Sequence, residues 1–152
     1  MKYFTQKLLI SIALASIFIT GYFTPIQAQI LETGQINNKE ETRINGISGG
    51  TDNHQGCGYL NATANQVIKL EDDPNFMSLS VTVDNPEASP TLFVIGSQSN
   101  TQFCAFQDQT TGQSPSISGL WAKDTYSIYV GDRNGGNYNF TLTINSSNNL
   151  IQ

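Results

Sequence analysis

The sequence is short of charge: Asp, Glu, Lys and Arg make up only 12% of its 152 residues. Basic residues are the scarcer sign, 7 against 12 acidic ones, which argues against electrostatic capture of nucleic acid on a basic face. The Ala/Glu/Lys/Leu enrichment of a coiled coil is missing as well. Histidine occurs once, at His54, in the polar stretch Asp52-Asn53-His54-Gln55, which reads as a loop. A lone histidine in a loop is a poor basis for a Ser-His-Asp constellation, which needs a buried base beside its nucleophile. Cysteine occurs twice, at Cys57 and Cys104, with no C-x-x-C partner, which makes a poor zinc set. Calcium would want an Asp-x-Asp-x-Asp-Gly run, and none occurs. The densest acidic stretch, Glu71-Asp72-Asp73, precedes Pro74 on a turn, where neighbouring carboxylates diverge instead of flanking a glycosidic bond. These absences point away from an enzyme and from a bound metal or cofactor.

The long hydrophobic run of the chain stands at its start. Lys2 and Lys7 precede an uncharged apolar stretch over residues 8–23, and Pro25-Ile26-Gln27-Ala28 follows as a turn-prone segment ending on a small residue. The run falls short of the roughly 20 residues a membrane-spanning helix needs. Residues 1–28 are thus expected to be a cleaved secretory signal, leaving no membrane span and a charge of about −7. Export, to the periplasm or the extracellular space, fits an even pair of cysteines. A Cys57–Cys104 disulfide is expected, worth roughly 4 kcal/mol in the chain-entropy model.

Residues 29–54 combine Asn37-Asn38, Lys39-Glu40-Glu41 and four glycines with few apolar side chains. They are expected to be a flexible arm, able to dock one strand onto the domain. From Gly56 onward the hydrophobic period is two. Strands are expected over 66–70, 76–83, 91–96, 102–106, 116–121, 125–130 and 138–144. In the second of these Met77, Leu79, Val81 and Val83 alternate with Ser78, Ser80 and Thr82; in the last, Tyr138, Phe140, Leu142 and Ile144 are expected inward, with Asn139, Thr141 and Thr143 outward. Leu92-Phe93-Val94-Ile95 is apolar on both faces, as a central strand covered on both sides would be. Turn signals separate the runs about every ten residues: Asp84-Asn85-Pro86, Lys123-Asp124 and Asn134-Gly135-Gly136-Asn137 among them. The expectation is an all-β antiparallel sandwich over 55–146, with 147–152 a disordered tail.

Four stretches resemble the bacterial pre-peptidase C-terminal domain: residues 76–83, Ser89-Pro90-Thr91-Leu92-Phe93-Val94, Asp124-Thr125-Tyr126-Ser127-Ile128-Tyr129-Val130, and Asn137-Tyr138-Asn139-Phe140-Thr141-Leu142-Thr143-Ile144. The resemblance spans residues 66–144. It implies a jelly-roll-like, non-catalytic β-sandwich of the kind appended to secreted peptidases. Small secreted cyanobacterial-type proteins are more similar still, with the same two cysteines and a turn like Val130-Gly131-Asp132-Arg133. The chain departs from the family pattern in having no peptidase attached, and in Pro90-Thr91 where many members carry an acidic residue. The first departure weighs against a protease-accessory role, the second against carrying over calcium binding.

The function expected is that of an exported non-catalytic module that binds a cell-envelope component, an extracellular polysaccharide or a protein partner. The alternatives are a small secreted hydrolase or redox enzyme with an unrecognised site, and a protease-accessory domain. Candidate ligand-binding residues are Trp121, Tyr129, Asp132, Arg133 and Asn134. Residues 131–137 exceed the two-residue loop of a tight hairpin. Arg133 offers a planar fork of donors on an acidic domain, and Tyr129 precedes it on the outward side of its strand. The competing reading makes Asp132 a turn cap and the glycines suppliers of positive φ. Phe103 and Trp121 are aromatics whose facing the period does not decide.

Overall fold

The structure, a computed structural model, describes residues 30–32, 41–54, 56–71 and 75–147. The expected signal segment, residues 33–40 of the arm and 148–152 of the tail lie outside the described residues. All regular structure among the described residues is strand: β1 (Ile30–Glu32), β2 (Thr42–Ile47), β3 (Asp52–His54), β4 (Gly58–Leu60), β5 (Gln66–Leu70), β6 (Asn75–Val83), β7 (Pro90–Gly96), β8 (Gln102–Phe106), β9 (Ser116–Trp121), β10 (Asp124–Asp132) and β11 (Asn139–Ser147). The seven strands expected from periodicity are all present, three of them with the expected bounds.

The strands form two sheets. One has the order β2-β11-β6-β9. In the other β10 is the hub, with β7 and then β8 on one side and β5 on the other. Beyond Ile128, where β5 ends, β4 takes up the same side of β10 through Asp132↔Tyr59, and β3 pairs with β4. β1 runs parallel to β5. The core follows from alternation: Ile68, Leu92, Val94, Ile128 and Val130 from one sheet meet Met77, Leu79, Val81, Leu142 and Ile144 from the other, all buried. Full burial of each such side chain contributes about 1.5–3 kcal/mol.

β7 is buried along nearly its whole length, as its two-sided apolar run requires. Its inner side chains belong to the core. Of its outer ones, Phe93 packs with Cys57 and Leu60 into a second cluster beneath the β3–β4 hairpin, with Ile95 against it. The Cys57–Cys104 disulfide is present, with Cα atoms 5.9 Å apart, and fastens that hairpin to β8.

Two expectations need correction. Residues 42–54 are built into the sandwich, not a flexible arm: β2 pairs with β11 along its full length, from Thr42↔Ile144 to Ile47↔Asn139. Ile44 packs against the core, so a few apolar residues at alternate positions suffice when a finished sheet supplies the other side. Second, β10 and β11 do not form a hairpin. They lie in different sheets, and residues 133–138 are the crossing between them, which accounts for a connection longer than a tight turn. Tyr138, expected inside on the closing strand, precedes β11 and is half-buried; a Cβ on Gly136 would lie 2.3 Å from its ring.

Candidate functional site: an uncharged groove and two anchored loops

β10 separates the residues proposed from sequence. Trp121 lies just before its start, and Asp132, Arg133 and Asn134 lie at its far end. The Trp121 ring lies 4.9 Å from that of Tyr126, and from Tyr126 to Asp132 β10 runs roughly 20 Å at ~3.3 Å per residue, so the two groups do not make one surface.

Asp132 is 0% exposed. Its carboxylate accepts from the amides of Ser89 at 2.8 Å, Asn134 at 2.8 Å and Gly136 at 3.1 Å. This geometry is that of a loop anchor, the reading that competed with ligand binding. Arg133 is exposed and lies over the Phe106 ring, 4.8 Å from its centroid. The Asn134 side-chain amide donates to the Ser89 hydroxyl at 3.2 Å. Tyr129 is half-buried, 6.0 Å from the Phe93 ring, and packs against the cluster beneath the hairpin instead of standing free for stacking. His54 covers the other side of that ring cluster, 4.6 Å from Phe93. Glu71 pairs with Lys69 at 2.9 Å, while Asp72 and Asp73 lie outside the described residues. Among the described residues no three His, Cys, Asp or Glu side chains gather into a metal-holding set.

The opposite end of β10 has an anchor that sequence reasoning treated only as a turn signal. Asp124 is 2% exposed and receives the amides of Gln98, Ser99 and Thr125 and the hydroxyls of Ser97 and Ser99, at 2.6 to 3.2 Å. Burial works against its ionisation. Donation by the Ser99 amide and hydroxyl and by the Thr125 and Gln98 amides outweighs it and holds the carboxyl well below the usual carboxylate range. The readable signal was the small polar run Ser97-Gln98-Ser99 after an apolar strand, a turn in need of an acceptor.

Beside this anchor the sandwich opens. β8 and β9 are edge strands of different sheets, and between them runs a groove of about 550 Å³. Phe103, Ala105, Ile117, Leu120, Trp121 and Tyr126 line it, and none of its lining residues is charged. Trp121 forms the floor. It is 4% exposed, meets Tyr126 edge-on at 4.9 Å and donates its indole N–H to the Met77 carbonyl at 2.9 Å. Phe103, 5.8 Å from Trp121 and 42% exposed, stands at one lip; Leu120, 64% exposed, stands on the strand forming the other. Of the five candidates only Trp121 belongs to this groove, and its indole N–H is already committed. Sequence reasoning missed Leu120 and Ile117 because β9 reads as a weak strand, Ser-Ile-Ser-Gly-Leu-Trp. A second, more polar cleft of about 610 Å³ surrounds Ile47, lined by Asn45, Thr82, Asn139 and Thr141 among others.

The fold and site define a disulfide-fastened antiparallel β-sandwich with an open, uncharged edge. No protein-family model matches the chain. An uncharacterized protein of Synechococcus elongatus is 26% identical over 148 residues, covering 95% of this chain and 98% of the relative. Among solved structures, the pre-peptidase C-terminal domain of a Bacillus anthracis collagenase is similar at a TM-score of 0.49 and 15% identity, over 80% of this chain and 97% of that domain. A periplasmic inhibitor of g-type lysozyme from Aeromonas hydrophila is similar at a TM-score of 0.46 and 11% identity, over 80% and 98% of the two chains. Both resemblances expected from the sequence, to the pre-peptidase C-terminal domain and to a cyanobacterial protein, recur among these. Among the described residues no helix is long and apolar enough to cross a membrane.

Proposed function

We propose that the chain is an exported, non-catalytic binding module that holds the apolar part of a protein partner in the groove between β8 and β9. The observation that carries this reading is exposed Phe103 over a cleft floored by Trp121, with exposed Leu120 on the outer rim of β9 and no charge along its walls. Covering either lip residue gains up to about 1.5–3 kcal/mol of apolar burial, and an aromatic-floored, uncharged cleft excludes water from what it holds. The Cys57–Cys104 disulfide supports an oxidising compartment. A neutral polysaccharide is the second reading, favoured by the amide and hydroxyl side chains around Ile47. The test compares the mature domain with Phe103→Ser/Leu120→Ser, both immobilised and offered the secreted and envelope fractions of the source cell. The native groove retains a protein that the double variant, melting within a few degrees of the parent, does not. Equal retention overturns the groove; retention of polysaccharide, lost on Asn45→Ala/Thr141→Ala, moves the site to Ile47.

A further inference from the structure

The register of β9 says what form such a partner takes. The amide of Val81 donates to the Pro115 carbonyl at 3.1 Å, so 81 and 115 face each other as a hydrogen-bonded pair just ahead of the β6–β9 ladder. Counting by twos along the antiparallel register, Ile117, Gly119 and Trp121 turn their backbone groups towards β6. Ser116, Ser118 and Leu120 therefore turn theirs outward, where no described residue meets them. A free edge of this kind is a template for another strand, and proteins usually blunt it with charge. β2, the opposite edge of the same sheet, carries Arg43 in contact with Glu41. β9 carries no charge, and neither does β8 across the groove. The outer backbone of β8 is the poorer template: the strand is shorter, and its central Cys104 is tied to Cys57 of the hairpin.

Resting on the groove reading above, we infer that the partner is an extended, uncharged polypeptide segment that adds to β9 as a fifth, antiparallel strand of the β2-β11-β6-β9 sheet. The chirality of the strand then fixes its pattern. Residues opposite Ser116, Ser118 and Leu120 bond to β9 and present their side chains on the outer face, beside two hydroxyls and the exposed Leu120. The residues between them point into the groove, towards Phe103 and Trp121. The segment recognised thus alternates polar and apolar, and a charge at a groove-facing position would be buried without a counter-ion.

The probe is the capped peptide acetyl-Thr-Val-Thr-Val-Thr-Val-Thr-amide, titrated against the ¹⁵N-labelled mature domain. Binding shifts the amide signals of Ser116, Ser118 and Leu120 and slows their hydrogen exchange. N-methylating the threonine amides, which face β9, weakens binding by about tenfold or more, the loss of one or two net hydrogen bonds. N-methylating the valine amides changes it less than about twofold. Ser118→Pro removes one outward N–H while leaving every backbone bond to β6 in place, losing besides only the hydroxyl contact with Ser78, and it also weakens binding about tenfold. Equal binding of the two methylated peptides, or no binding of the parent peptide, overturns strand addition. The groove reading survives that outcome if Phe103→Ser/Leu120→Ser still abolishes retention of the native partner, so the two failures are distinguishable. A dimer seen by sedimentation, unaffected by the peptide and abolished by Ser118→Pro, makes a second copy of the chain the occupant and overturns the choice of partner.

Discussion

The two ends of β10 solve one problem in two ways. Each begins or ends on a buried aspartate that gathers the amides of a neighbouring loop. Asp124 serves the turn at 97–99, which joins β7 to β8 within a single sheet; those three residues are exposed, and of its donors Thr125 alone is half-buried. Asp132 serves residues 89, 134 and 136, which belong to the two connections, β6–β7 and β10–β11, that pass between the sheets. The Ser89 and Gly136 donors are half-buried. More hydrogen bonds converge on Asp124, yet water can replace an acceptor at the surface and cannot readily do so beneath a crossing. The number of bonds is thus a poorer guide to an anchor's worth than the accessibility of its donors.

The comparison is broken most directly by removing each carboxylate in turn. Asp132→Ala leaves several amides without an acceptor and is expected to cost about 3–4 kcal/mol in urea unfolding. Asp124→Asn should cost less, about 2–3 kcal/mol, because Ser97 to Ser99 can turn to solvent. A larger loss for the Asp124 variant would reverse the order argued above. The Asp124 effect also has a pH signature. Its folded carboxyl titrates below the unfolded reference near 4, so its contribution is fully present above that reference and is lost as pH falls towards the folded value. The stability gap between parent and Asp124→Asn should narrow below about pH 4; a gap constant down to pH 2 would refute the assignment.

Reducing the disulfide sharpens the contrast in a different way. Cys57→Ser/Cys104→Ser should cost about 2–4 kcal/mol. Its hydrogen-exchange footprint should fall on β3, β4 and the Asp132 end, where Tyr59 pairs, and spare Ser97 to Ser99. The smallest effect expected is that of Arg133→Ala, no more than about 1 kcal/mol, since its guanidinium rests on Phe106 in solvent. Unchanged binding in that variant beside loss in Phe103→Ser/Leu120→Ser would place recognition at the Asp124 end of the strand.

How far the sequence could be read depends on what period two encodes. It reports which side chains share a face, so Met77, Leu79 and Val81, and Phe140, Leu142 and Ile144, were legible as core, and β7 as covered on both faces. The cysteine count made the disulfide legible. Period two does not report which strand lies alongside, so β10 and β11, neighbours in sequence, were read as a hairpin although they belong to different sheets. The site suffered from the same gap. Placing Trp121 with Asp132 and Arg133 required the two ends of one strand to meet, and only the strand's length, not its alternation, forbids that. Phe103 and Leu120 become notable only once β8 and β9 are known to be edges, which is a property of the assembled sheets.

The pairing of β2 with β11 has a consequence for how the chain acquires its structure. Asn45 receives a hydrogen bond from Thr141, 96 residues later, at 2.9 Å. An early strand therefore has no partner until nearly all the rest of the chain has been delivered, and Thr42–Ile47 must wait as an unpaired segment while later strands emerge. Such high contact order predicts folding on the scale of milliseconds to seconds. A chain crossing a membrane from its N-terminus would complete this sheet only after residues 139–147 had followed it through, so any pause in translocation before that point leaves the sandwich open.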